Sequence, residues 1–234
     1  MAKNSNPIPK QVSITTLMNP LNRRSFLRYT GMGLAATSAL LMVGCDDDDN
    51  ENLLQPDANA SATLTNDDFG ILNYAYALEQ LEAAFYTKVI QTPYGNMPTT
   101  EMNMLKDIRD HEIAHRDFFK AALSSKAIGD LSVDFSAINF ADRTQVLTAA
   151  RTFEDLGVAA YNGAGNLITN ADYLVLAGKI VSVEARHAAY IRHLLDPGSG
   201  PDVGSDALDD ATKPSAVLSA AKPYIKTNIT SQLP

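Results

Sequence analysis

The chain has no tryptophan and one cysteine, Cys45, among its 234 residues. A single cysteine excludes an internal disulfide. No apolar run reaches the roughly 20 residues that a membrane-spanning helix needs. No segment shows sustained alternation of apolar and polar residues, so strands are not expected to build the core. Acidic side chains are missing from residues 1–45, while residues 46–234 hold 14 basic and 27 acidic residues, a formal net charge of −13. A body without a basic patch has nothing to offer a phosphate backbone, which argues against nucleic acid as a partner. The length suits one mid-sized domain with extensions.

The five basic residues of the first segment are Lys3, Lys10, Arg23, Arg24 and Arg28. Asn22-Arg23-Arg24-Ser25-Phe26-Leu27-Arg28 leads into a mildly hydrophobic, small-residue-rich stretch at residues 32–43. A charged segment before such a stretch reads as an export signal. The arginine pair followed by Phe-Leu resembles a twin-arginine signal, whose route carries proteins already folded. Leu41-Met42-Val43-Gly44-Cys45 resembles a bacterial lipoprotein cleavage site, with Met42 where leucine is usual. The pattern implies that Cys45 is lipidated and that its acyl chains anchor the protein to a membrane, on the periplasmic or cell-envelope side. A plain cleaved signal and a buried helix with a core cysteine are the alternatives. Residues 1–45 are thus expected to be an address. Residues 46–62, opening with four aspartates, are expected to be a hydrated tether.

Residues 63–196 carry four stretches with helical spacing. Thr65-Asn66-Asp67-Asp68 offers capping groups for a first helix, along which Leu72, Ala75, Leu78, Glu79, Glu82, Phe85, Tyr86 and Ile90 share a face. A second runs from Thr99 to about residue 126. Residues 129–139 read as an irregular connection, with Val133 and Phe135 packed down. A third helix is expected from about residue 141 to 166, and a fourth from Asn170-Ala171-Asp172 to a stop at Pro197-Gly198. Four amphipathic helices cover their apolar faces most simply as an all-α, antiparallel four-helix bundle with a longer central connection. Residues 197–234 form a tail with Pro, Gly and Asp in which residues 216–224 offer a short helix. The tail could cap an end of the bundle or mediate association, and a homodimer is compatible with this reading.

The two halves repeat. Glu79-Gln80-Leu81-Glu82-Ala83-Ala84-Phe85-Tyr86 and Glu154-Asp155-Leu156-Gly157-Val158-Ala159-Ala160-Tyr161 both read Glu-x-Leu-x-x-Ala-x-Tyr. The second helix carries Glu112-x-x-His115 and the fourth Glu184-x-x-His187. The intervals agree, with 33 residues from Glu79 to Glu112 and 30 from Glu154 to Glu184. With a rise of about 1.5 Å per residue, each hairpin brings its pair roughly level. Glu79, Glu112, His115, Glu154, Glu184 and His187 can therefore meet in the middle of the bundle. Four carboxylates in a dry core repel one another and are expensive to desolvate. Two divalent cations cancel four carboxylates in formal charge, and neutral imidazoles complete the set. Mixed oxygen and nitrogen ligands suit two iron ions first and manganese second, and they also admit zinc.

Glu82 shares a face with Glu79, so spacing permits either as ligand. The alignment of the halves sets Gly157 opposite Glu82, which favours Glu79 and leaves Glu82 as a supporting or substitute group. Tyr86 and Tyr161 lie seven residues beyond their glutamates, placed to bond ligands or to take part in redox chemistry, or simply to be core aromatics. His111-Glu112-Ile113-Ala114-His115 formally matches the zinc-protease pattern His-Glu-x-x-His. That reading leaves Glu79, Glu154, Glu184 and His187 unexplained, and His111 is better placed to orient a ligand.

Residues 66–196 resemble the ferritin-like superfamily, through residues 78–86, 111–119, 153–163 and 183–192. In particular they look like the exported bacterial ferritin-like domain proteins related to desiccation-associated proteins. The resemblance implies a di-metal carboxylate centre with ferroxidase or peroxide- or O2-linked oxidoreductase activity, Fe(II) and O2 or peroxide being the small substrates. A non-catalytic, membrane-tethered stress or structural bundle is the alternative.

Overall fold

The computed structural model describes residues 61–199 and 206–234. The segment expected to be an export signal, Cys45, and most of the segment expected to be a tether lie outside the described residues. In chain order the elements are strand β1 (Ser61–Leu64), helices α1 (Asp68–Gln91), α2 (Thr99–Leu123), α3 (Arg143–Gly165), α4 (Ala171–Leu195) and α5 (Pro214–Ala221), and strand β2 (Asn228–Ser231). α1 pairs with α2 and α3 with α4, and the two hairpins pack as an antiparallel ferritin-like bundle. No helix among the described residues is long and apolar enough to cross a membrane.

The helix starts follow from their caps. The Asp67 carboxylate accepts the Gly70 N–H at 2.8 Å and the Thr65 hydroxyl at 2.7 Å, satisfying a donor the helix leaves free. Gly70 is required, because a Cβ there would lie 1.7 Å from the Thr65 carbonyl oxygen. Asp142 caps α3 through the N–H groups of Thr144 and Gln145, which puts the first helical residue at Arg143 rather than near 141. Asn170 caps α4. Asp68 accepts from the Thr169 and Asn170 backbones and the Thr169 hydroxyl, tying the start of α1 to the start of α4. α2 ends earlier than its spacing suggests, because Ser124–Lys126 tighten into a 3-10 turn.

α1 is the central helix. Of its 24 residues 17 are buried, a pattern that needs covering on every side. The long central connection supplies part of that cover. Asn73 donates to the Lys126 carbonyl and accepts the Ile128 N–H, and Gln80 accepts the Leu131 N–H. Phe135 then stacks edge-on against Phe85, which also meets Phe153. Burying one such ring stabilises the fold by about 1.5–3 kcal/mol.

The segment at 206–234 is folded onto the bundle. α5 packs on α3, and the Thr212 N–H donates to the Ala159 carbonyl at 2.9 Å. The chain crosses α3 at Gly163, where a Cβ would fall 1.9 Å from the Thr212 oxygen. β2 pairs in parallel with β1, Ser61 opposite Asn228 through Leu64 opposite Ser231. β1 thus begins inside the segment expected to be tether, and Ala62 and Leu64 turn inward. Strands this short, paired across most of the chain, carry no local hairpin signal.

Candidate metal centre

Each of the four long helices sends its acidic or imidazole groups into one layer of the bundle. Glu79 comes from α1, Glu112 and His115 from α2, Glu154 from α3, and Glu184 and His187 from α4. The four carboxylates are fully buried, His187 is buried, and His115 is partly so. Their donor atoms form two overlapping sets. One holds Glu79, Glu112, His115 and Glu184, the other Glu112, Glu154, Glu184 and His187, with the atoms of each set within 4.8 Å of one another. Glu112 and Glu184 belong to both.

Both imidazoles present Nδ1 to the carboxylates. His115 Nδ1 lies 2.9 Å from Glu184, 3.4 Å from Glu79 and 3.5 Å from Glu112. His187 Nδ1 lies 2.8 Å from Glu112 and 3.5 Å from Glu154. These approaches are close but lack hydrogen-bond geometry. Eight buried atoms therefore have no hydrogen-bond partner: Glu79 Oε2, both oxygens of Glu112 and of Glu184, Glu154 Oε2, and Nδ1 of His115 and His187. Buried polar atoms are rarely left orphaned. Eight converging donors, all bearing lone pairs in the neutral-imidazole, ionised-carboxylate state, fit two cations.

The oxygens left over are accounted for by tyrosines. Tyr86 on α1 donates to Glu154 Oε1 on α3 at 2.6 Å, and Tyr161 on α3 donates to Glu79 Oε1 on α1. Each terminal carboxylate thus has one oxygen fixed and one free for a cation. Both tyrosine hydroxyls are pushed well above their usual pKa by burial first and by the neighbouring carboxylates second, so they keep their protons.

Electrostatics in the metal-free layer show what the cations would replace. Burial, then Glu112 and Glu79, pushes Glu184 well up. Burial, then Glu184 and Glu112, does the same to Glu82. Burial also raises Glu79 and Glu154. Burial works against charge on His187 and His115, but their carboxylate contacts win and lift them to about 10 and about 12. Burial would raise Glu112, but its two histidines pull it down instead. Without cations the layer limits its negative charge by holding protons.

Glu82 is buried beside the centre but belongs to neither donor set. Gly157 makes its room: a Cβ there would stand 3.1 Å from Glu82 Oε1 and 3.5 Å from Glu184 Oε2. The mismatch between the repeats is thus a steric accommodation, visible in the sequence only as a glycine opposite a glutamate. His111 is exposed and lies outside both sets. Its Nδ1 is 2.9 Å from Nε2 of His187, with the rings nearly parallel. The His-Glu-x-x-His reading needs His111 and His115 in one donor set, and His115 stands instead with Glu79, Glu112 and Glu184.

A family model described as a ferritin-like domain matches residues 67–197, more than half of the chain. The chain belongs to the ferritin-like family. No curated protein matches it. One feature of this ferritin-like chain that spacing did not suggest is the clamp at the end of the bundle opposite the α1–α4 tie. Arg143 forks onto the buried Glu101 carboxylate at 2.9–3.3 Å and also donates to the Leu194 carbonyl at 2.8 Å. It joins the starts of α2 and α3 to the end of α4.

Proposed function

We propose that this ferritin-like chain holds two redox-active ions, iron before manganese, and couples oxidation of Fe(II) to reduction of dioxygen or peroxide. The observation that carries the reading is the pair of overlapping donor sets sharing Glu112 and Glu184, with eight buried atoms lacking partners. Glu79 and His115 would serve one ion, Glu154 and His187 the other. Bound there, the ions supply one-electron steps, which carboxylates tolerate because they can change between one- and two-oxygen binding. The chain's own residues orient and protonate. Tyr86 and Tyr161 keep their protons on Glu154 and Glu79 and fix which oxygen each presents. His111 bonds the outer nitrogen of His187 and so sets the direction of the inner one. Glu82 is a further buried carboxyl beside Glu184, able to hold a proton or substitute as a ligand.

The proposal extends to location. Arg23-Arg24 with Phe26-Leu27, and Met42-Val43-Gly44-Cys45, support export by a twin-arginine-like route and a lipid anchor at Cys45. A folded route would let metal be loaded before export.

The test is metal content of the full chain purified aerobically, beside a Glu112→Ala/Glu184→Ala variant. About two iron or manganese ions per chain, lost in the variant, together with Fe(II) oxidation, would support the reading. No metal, and no change in melting on adding Fe(II) or Mn(II), would leave a structural bundle. One zinc per chain would point to hydrolytic chemistry instead.

A further inference from the structure

The two sides of the donor layer differ. Towards the end of the bundle where Arg143 clamps, the interior is filled by rings: Phe85 meets Tyr86 at 5.2 Å and Phe153 at 4.9 Å between centroids. Towards the other end lies a cavity of about 40 Å3. All four helices line it, each by residues one or two turns from its own donor. Ala75 is four residues before Glu79, Phe119 four after His115, Tyr161 seven after Glu154, and Ile180 four before Glu184. In an antiparallel bundle these offsets all point the same way along the axis, so the cavity lies one to two turns beyond the layer on that side. Tyr161 joins the two directly, lining the cavity while its hydroxyl bonds Glu79.

The chemistry of the lining selects an occupant. Among its 16 residues none has a charged, amide or aliphatic hydroxyl side chain, and tyrosine supplies the only side-chain polar groups. Apolar cavities stay dry. Hydrogen peroxide would give up its hydrogen bonds to enter, at a cost of a few kcal/mol. The volume exceeds the roughly 10–15 Å3 that one water occupies and falls well short of the roughly 150 Å3 that admits benzene. Phe118, a lining residue, is 39% exposed, so the cavity meets solvent at its edge.

We infer that this cavity admits and holds dioxygen beside the Glu79–His115 half of the donor layer, making dioxygen rather than peroxide the oxidant taken from this side. The inference rests on the di-metal reading for its purpose but not for its first test. Xenon, a chemically inert probe of comparable size, is applied to the metal-free full chain and followed by NMR at the methyls of Leu72, Leu78 and Ile180. Saturable shifts at these methyls are expected, and Ala160→Leu, which fills the cavity from α3, abolishes them. Ala75→Leu fills it from α1 and serves if the first variant does not fold. In the metal-loaded protein the same variant raises the KM for dioxygen about fivefold or more, while peroxide-driven Fe(II) oxidation and metal stoichiometry stay unchanged. Absence of xenon shifts in the native chain overturns the inference, as does equal slowing with both oxidants. Uptake of benzene as well as xenon overturns the size argument and assigns the cavity to an organic ligand. A chain that takes xenon but binds no metal refutes the di-metal reading, so the two failures are distinguishable.

Discussion

Tyr86 on α1 and Glu154 on α3 are joined by a 2.6 Å hydrogen bond across the buried layer. Tyr161 and Glu79 make the reciprocal bond in the opposite direction. The two halves of the repeat are thereby cross-braced, each helix carrying the tyrosine that fixes the other's glutamate. Tyr86→Phe leaves Glu154 free to rotate. It should weaken the Glu154–His187 position about 10- to 100-fold for Mn(II) or Fe(II) while the other position changes less. Chelator-competition titration of the variant measures this, and unchanged affinities at both positions would remove the tyrosine from the centre.

The held protons set a pH dependence. Burial raises Glu79 from 4.5 to about 7, and carboxylate contacts, overcoming burial, raise His187 from 6.5 to about 10. Both bind more protons folded than unfolded, so the stability they contribute is full below their unfolded values. It is lost as pH rises through about 7 and about 10 respectively. Cations displace those protons, so their binding strengthens over the same interval. Melting temperatures with and without Mn(II) should therefore diverge as pH rises from about 6 to 8. Calorimetry showing a constant gap would contradict the proton inventory.

Two glycines of α3 should respond oppositely to alanine. At Gly157 the added Cβ meets the end of a flexible side chain, Glu82. Helix propensity favours alanine by about 1 kcal/mol, so Gly157→Ala should stay within about 1 kcal/mol of the parent while displacing the Glu82 carboxyl. At Gly163 the Cβ would meet the Thr212 backbone. Gly163→Ala should cost about 1–3 kcal/mol and loosen the crossing segment, as read by urea melts and amide exchange at Thr212.

The Arg143 clamp should act on stability alone. Arg143→Ala leaves the buried Glu101 carboxylate and the Leu194 carbonyl without this donor, at a cost of about 2 kcal/mol. Arg143→Lys restores charge but not the fork, and should recover only part of the loss. Metal stoichiometry should not change in either variant.

What could be read from sequence was whatever repeats or is spaced along one helix. Glu79 and Glu154, each with a tyrosine seven residues on, announced a paired layer, and Asp67 and Asn170 announced helix starts. What could not be read depends on distant parts of the chain. β1 and β2 are four residues each and pair across the bundle. Arg143 finds Glu101 and Leu194 only once three helices are assembled. The cavity is a shortage of side-chain volume shared by Ala75, Ala160 and Ala177, and each alanine alone looks like ordinary core.

The pairing of β1 with β2 also orders events in time. Thr63 and Thr230 are 167 residues apart, and the Leu64 carbonyl, beside a fully buried side chain, receives its bond from Gln232. During synthesis the ribosome releases β1 long before its partner, at about 5–20 residues per second. For several seconds or more the two hairpins can form around the donor layer while β1 lacks its strand partner. The pairing is therefore a late event in chain order, and a variant lacking residues 228–232 would leave the edge of β1 without its partner.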